Sequence, residues 1–207
     1  MNKVFVLAPH GDDGEFGCGG ALKRFSEEGV EVYYVVFSPC NKSMPKGYRE
    51  NQLYEELERA VKHLGIDTDH IIKYDFPVRE FPKFRQEILE ELIRLKNKHQ
   101  PDLVLLPNAE DIHQDHHTIY KEGIRAFKHH KILGYELPWN NFSFTNSFHI
   151  TLNRSHIEAK MKAISEYESQ KFRPYMDEEF FYGLSKMRGT QINVEYAEAF
   201  ELIRWFI

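Results

Sequence analysis

Residues 4–20 read VFVLAPHGDDGEFGCGG. Val4 to Ala8 form an apolar run of the length a buried strand takes, and Pro9 ends it. A loop from Pro9 then gives way to a helix expected from about Glu15 or Phe16, through ALKRFSEEG, with Gly29 as its stop. The same alternation continues along the chain. VEVYYVVFS (30–38) predicts a second strand, a helix follows over about 49–64 with Gly65 as its cap, and HIIKYDF predicts a third strand. Phe84, Ile88, Leu92 and Leu95 fall on one helical face within 83–99. DLVLLP (102–107) is almost wholly apolar, as a central parallel strand should be. A further helix is expected to about Lys128, then a strand over 131–136. FHITL (148–152) either pairs with that strand or lies at the sheet edge. Asn153 or Ser155 caps the next helix, whose apolar positions include Ile157, Met161 and Ile164. EYAEAFELIRWF, near the end, fits a helix or an edge strand. Strand–helix alternation of this kind predicts an α/β fold with a mostly parallel sheet, and with no visible linker residues 1–207 read as a single domain.

The sequence of 207 residues is 42% hydrophobic and 29% charged, ordinary for a globular protein. Its formal net charge of −5 comes with no basic stripe, which argues against a nucleic-acid partner. No apolar stretch is long enough for membrane insertion, and the first residues do not resemble a signal peptide. Cys18 and Cys40, the only cysteines, exclude a disulfide scaffold and suit a cytoplasmic location.

Two polar clusters follow two strands. His10, Gly11, Asp12, Asp13, Gly14 and Glu15 come after the first, and Glu110, Asp111, His113, Asp115, His116 and His117 after 102–107. Open α/β sheets bind ligands beyond the carboxyl ends of their strands, where strand order reverses. If these two strands are neighbours there, the clusters share one crevice. Two histidines and a carboxylate are a workable ligand set for catalytic zinc, and His10, Asp13 and His116 supply one. Asp12 is then a carboxylate beside the metal, free to take a proton. Glu110, Asp111 or Asp115 can orient the histidines. His113 and His116, three apart, share a face if a helix has begun. The glycines Gly14, Gly17, Gly19 and Gly20 fail the dinucleotide fingerprint in order, and Asp12 and Asp13 would repel a pyrophosphate. Close helix–sheet packing is the better reading of them.

The motifs PHGDDGE (9–15) and HQDH (113–116) resemble the A-H-P-D-D-x-E and H-P-D-H signatures of the PIG-L/LmbE-like N-deacetylases. KMKAISEYESQ (160–170) and YAEAF (196–200) resemble two later elements of that family, and Glu56, Ala60, Leu64 and Gly65 follow one of its helices. The resemblance implies a Rossmann-like three-layer fold without a dinucleotide site. It implies zinc, or another divalent ion such as Fe2+, on His10, Asp13 and His116, with Asp12 as general base. His113 would stabilise the oxyanion in protonated form, and Asp115 would hold His113. The implied reaction is removal of an N-acetyl group from an amino sugar or its conjugate, a linear-amide hydrolysis. A metal hydrolase of a non-sugar amide or ester is the alternative. The implied partner is thus a small N-acetylated sugar, and a homo-oligomer is compatible with the reading.

Three positions depart from the family pattern. Gly11 and Gln114 stand where proline is usual, and Leu53 stands where arginine is frequent. His117 is the alternative ligand to His116 if the loop register differs. Loops at 39–48, 75–82, 137–147 and 170–178 are expected to shape the pocket. Arg49, Arg79, Glu136, Asn140 and Arg173 are candidate contacts to sugar hydroxyls, with Trp139 as a stacking platform.

Overall fold

The computed structural model describes residues 1–207. Its elements run β1 (Lys3–His10), α1 (Asp13–Glu27), β2 (Glu31–Ser38), α2 (Gln52–His63), β3 (Ile71–Lys73), α3 (Arg85–His99), β4 (Leu103–Pro107), α4 (Gln114–Ala126), β5 (Lys131–Tyr135), β6 (Phe148–Leu152), α5 (Arg154–Ser165), α6 (Glu178–Thr190) and β7 (Tyr196–Arg204). The seven strands form one sheet in the order β3-β2-β1-β4-β5-β7-β6. The first five are parallel, and β7 runs antiparallel to both β5 and β6. Val4, Val6 and Ala8 of β1 point into the core shared with α1, α2 and α5, while Phe5 and Leu7 point into the core under α3 and α4. The period-2 alternation of a strand buried on both faces therefore builds the three layers.

Strand order reverses between β1 and β4, which pair in parallel with Val4 opposite Leu103 and Val6 opposite Leu105. Both polar clusters therefore leave the sheet side by side. Two boundaries differ from the sequence reading. β1 continues through His10, and α1 begins at Asp13, so only Gly11 and Asp12 join them. β7 is a strand, but an interior one, because β6 covers its far edge. The sequence reading had no helix over 178–190; α6 packs there against β7.

α1 is not a continuous helix. Cys18, with φ −148° and ψ 20°, breaks its ladder. The freed groups find buried partners. Gly20 and Ala21 donate their N–H groups to the Glu198 carboxylate at 3.0 and 2.7 Å, and Lys160 Nζ donates to Phe16 O at 2.8 Å and to Glu198 at 2.7 Å. A kinked helix in a dry interior needs such partners, since each orphan amide or carbonyl is costly there. The glycines bring α1 onto the sheet. A Cβ at Gly14 would lie 2.6 Å from Tyr34 Oη, and one at Gly17 would lie 2.4 Å from Tyr135 Cδ2.

Candidate active site

The end of β1 and the start of α1 place His10 and Asp13 three residues apart across a two-residue turn. Asp13 Oδ2 accepts the backbone N–H of His10 at 2.8 Å, which draws the two side chains together. The hydroxyls of Tyr34 and Tyr167 both donate to Gly11 O, at 3.1 and 2.6 Å, and fix the turn between them. Beneath it Glu15 is fully buried, 2.5 Å from Tyr34 Oη, and burial pushes its carboxyl up to about 8. Neither tyrosine carried a signal in the sequence, since one sits in an apolar strand and the other beyond a helix.

On the facing side His113 is the N-cap of α4, and its Nδ1 accepts the backbone N–H of Asp115 at 3.2 Å. His116, one turn on, faces His10. Three atoms then converge. His10 Nδ1 lies 3.1 Å from Asp13 Oδ2, His116 Nε2 lies 3.2 Å from the same oxygen, and the two nitrogens are 3.2 Å apart. Metal–ligand bonds of about 2.0–2.2 Å at tetrahedral angles separate neighbouring donors by about 3.3 Å, so this triangle fits a zinc-sized ion. The outer nitrogens are already engaged. His10 Nε2 meets Asp115 Oδ2 at 3.1 Å and His116 Nδ1 meets Asp111 Oδ2 at 2.7 Å. Those bonds place each ring's proton on the outer nitrogen and leave the inner lone pairs aimed at one point.

The electrostatics agree. Burial opposes charge on both the His10 and His116 imidazoles, yet the Asp13 carboxylate and the bonds to Asp115 and Asp111 overcome it, raising His10 to about 9 and His116 to about 10. Asp13 is likewise desolvated, but the charges of His116 and His10 hold it ionised, far below the usual carboxylate range. Without a metal, protons occupy the place a cation suits. A second grouping also exists: one donor atom each from His10, His113 and His116 all lie within 4.8 Å of one another. Asp13 Oδ2 lies nearer to His10 Nδ1 and His116 Nε2, while the bond from Asp115 N–H engages Nδ1 of His113 and leaves its Nε2 facing the group.

Asp12 caps α1 in position only, because its side chain makes no capping hydrogen bond. It lines the cavity instead, only 8% exposed, and burial followed by the Asp13 charge pushes its carboxyl up to about 6. A carboxylate poised near neutrality suits a general base. The contacts of Asp115 differ from the expectation. Asp115 meets His113 through its backbone, while its carboxylate serves His10 and accepts the N–H groups of Arg79 and Phe81 at 2.6 and 3.2 Å. In the metal-free chain, burial and the neighbouring charges of His116 and His10 push His113 down to about 4. Asp111 and Asp115 orient the histidines as two of the three acids proposed; Glu110 instead meets Ser143 Oγ at 3.4 Å. His117 lies against Tyr120, outside the cavity.

The cavity holds about 590 Å³, and all four anticipated loops contribute to it. Arg79, Asn140, Arg173 and Trp139 line it. Arg49 pairs with Glu55 and Glu136 pairs with Arg188, so neither lines it. Trp139 stacks on Tyr175 at 3.9 Å, which occupies one face of the indole. Two of the departures from the family pattern touch each other: a Cβ on Gly11 would sit 2.9 Å from Leu53 Cγ.

The sequence profile described as PIG-L, GlcNAc-PI de-N-acetylase, matches residues 5–127, which carry both clusters. The chain belongs to the PIG-L family. Among relatives of this PIG-L chain, diacetylchitobiose deacetylase of Thermococcus kodakarensis is 25% identical over 82% of the chain and 70% of its own length. The conserved protein TT1542 from Thermus thermophilus superposes with a TM-score of 0.82 at 25% identity, covering 100% of the chain and 97% of its own. GalB, the 4-carboxy-2-hydroxymuconate hydratase from Pseudomonas putida, shares the fold with a TM-score of 0.79 at 18% identity, covering 100% and 98%.

Proposed function

We propose that this chain, acting as one domain over residues 1–207, is a divalent-metal-dependent hydrolase that removes the N-acetyl group from an amino sugar or its conjugate. Zinc is the expected ion, held by His10, Asp13 and His116, and its two free cysteines suit work in the cytoplasm. The observation that carries the reading is the converging donor triangle with an uncommitted carboxylate, Asp12, beside it. When bound, the metal supplies a water of lowered pKa and polarises the scissile carbonyl.

The rest belongs to the chain's own side chains. Asp12 accepts the proton of the attacking water. The Nε2–H of neutral His113 donates to the oxygen on which negative charge develops, and its fixed tautomer means no reorganisation is needed. Asp115 and Asp111 keep His10 and His116 aligned. Loss of the acyl group as acetate requires proton delivery to the amine nitrogen, and Asp12, protonated in the first step, carries that proton.

The diacetylchitobiose deacetylase relative supports a sugar substrate. A hydratase on the same fold is a reminder that fold alone does not choose the reaction. The test is amine release from N-acetylated sugars, glycosides, chitobiose and simple acetamides by zinc-loaded protein, with Asp12→Asn as control. Release from a sugar is expected, falling about 10²–10⁴-fold in the control, the range for a general base. Release only from acetamides or esters would move the assignment to the non-sugar hydrolase.

A further inference from the structure

Asn108, the residue after β4, is 1% exposed, and the two donors and two lone pairs of its amide are all used. Its Nδ2 donates to Tyr135 O at 2.9 Å and to Asn141 Oδ1 at 3.1 Å. Its Oδ1 accepts the Glu110 N–H at 2.9 Å and Asn141 Nδ2 at 2.9 Å. The two asparagines therefore bond each other twice, amide to amide. The Glu110 N–H and the Tyr135 carbonyl fix which way round the Asn108 amide lies, since a flipped amide would set donor against donor and acceptor against acceptor. Gly134 makes room for the arrangement: a Cβ there would lie 2.9 Å from Asn108 Cα, so the bare glycine lets the loop cross β5.

The pair joins two loops with different duties. The loop between β4 and α4 carries Asp111, whose Oδ2 holds His116 Nδ1 at 2.7 Å. The loop after β5 carries Trp139 and Asn140, which line the cavity. Apart from the asparagine pair, these loops meet through a single antiparallel bridge between Asp111 and Asn141, the Ile112 N–H on Asn140 O at 3.1 Å, and Asn140 Nδ2 on Asp111 Oδ2 at 3.4 Å. One isolated bridge is a loose joint. A saturated amide pair beside it is a stiff one, because every alternative arrangement leaves a buried polar atom unpaired. Asp111 is thereby held from both sides, with His113 N–H on its Oδ1 at 2.9 Å.

We propose that Asn108 and Asn141 are positioning residues for the site: by locking the two loops together they set the Asp111 carboxylate, and through it the angle of the His116 ring. Their service to hydrolysis rests on the deacetylase reading, but their test needs no substrate. Zinc affinity of the full chain is measured by competition with a chromophoric chelator for wild type, Asn141→Ala, Asp111→Ala and the double variant. Asn141→Ala should weaken zinc about 3- to 10-fold, the range one neutral hydrogen bond supplies. Because the effect runs through Asp111, that factor should shrink to about one in the Asp111→Ala background. Cobalt(II) in place of zinc supplies a second readout, since its visible absorption follows ligand geometry. The spectrum should shift in Asn141→Ala and stay put in Asn146→Ala, which cuts a 2.8 Å bond from the same loop to Gln191 and leaves Asp111 alone. Should Asn141→Ala fail to fold, Asn141→Ser, too short to span the pair, takes its place. Unchanged zinc affinity, a loss that persists in full without Asp111, or an equal spectral shift in Asn146→Ala overturns the inference. A wild-type chain that binds no zinc overturns it together with the metal site. Amine release from N-acetylated sugars is scored separately, so a failure of the deacetylase reading leaves this result standing.

Discussion

One cluster of buried charge lies at the start of helix α1 and another at its kink, and they differ in where their hydrogen bonds go. Lys160 and Glu198 are 2% and 5% exposed and satisfy each other and the broken backbone of α1. That cluster is complete within the protein. His10, Asp13 and His116 are equally buried, but their inner atoms face one another, and without a cation they need two extra protons to coexist. Burial of charge therefore does not by itself mark a functional site. The mark is a set of aligned donors whose remaining partner is not part of the chain.

The sharpest way to break the contrast is Lys160→Met. It leaves Glu198 without its cation and should cost about 3–5 kcal/mol of stability, as severed buried pairs do. Denaturant unfolding would register the loss, and metal stoichiometry in the folded fraction should be unchanged. Lost metal binding there would mean that the two clusters are one system.

Asp111→Ala should do the reverse, lowering metal affinity about 10- to 100-fold by freeing the His116 ring, measurable by competition with a chromophoric chelator. Unaltered affinity would class Asp111 with the structural pair. The same titration on His113→Ala should show the metal retained; its loss would favour the three-imidazole ligand set.

The smallest effect is the proton count. His10 at about 9 and His116 at about 10 are protonated at pH 7 in the metal-free chain, so metal entry should expel up to two protons. Affinity should therefore climb as pH rises towards 9–10 and weaken as it falls. Calorimetry in buffers of different ionisation heat measures the release, and an enthalpy independent of buffer would contradict it.

Much of this was legible in one dimension. The apolar runs at 4–8 and 102–107 identify strands buried on both faces, because only such strands can be apolar at every position. The polar residues right after them identify the crevice, because strand ends in an α/β sheet open onto it. Less was legible near the end, where Tyr196–Arg204 alternates well enough for an edge strand yet lies inside the sheet. A strand's neighbours are a property of the whole sheet, and nothing local encodes them.

The residue types of the site and their spacing along the chain can be read from the order of residues alone, since His10–Asp13 and His113–His116 are local features that short-range geometry carries. Their division of labour comes from the folded arrangement. Pairing of β1 with β4 brought His10 Nδ1 within 3.2 Å of His116 Nε2 from 106 positions away. It gave the Asp115 carboxylate to His10 rather than to its near neighbour His113, and left Asp12 without a capping bond. Hydrogen-bond partners and desolvation depend on which surfaces meet, and those meetings are set by the packing of the entire sheet and its helices.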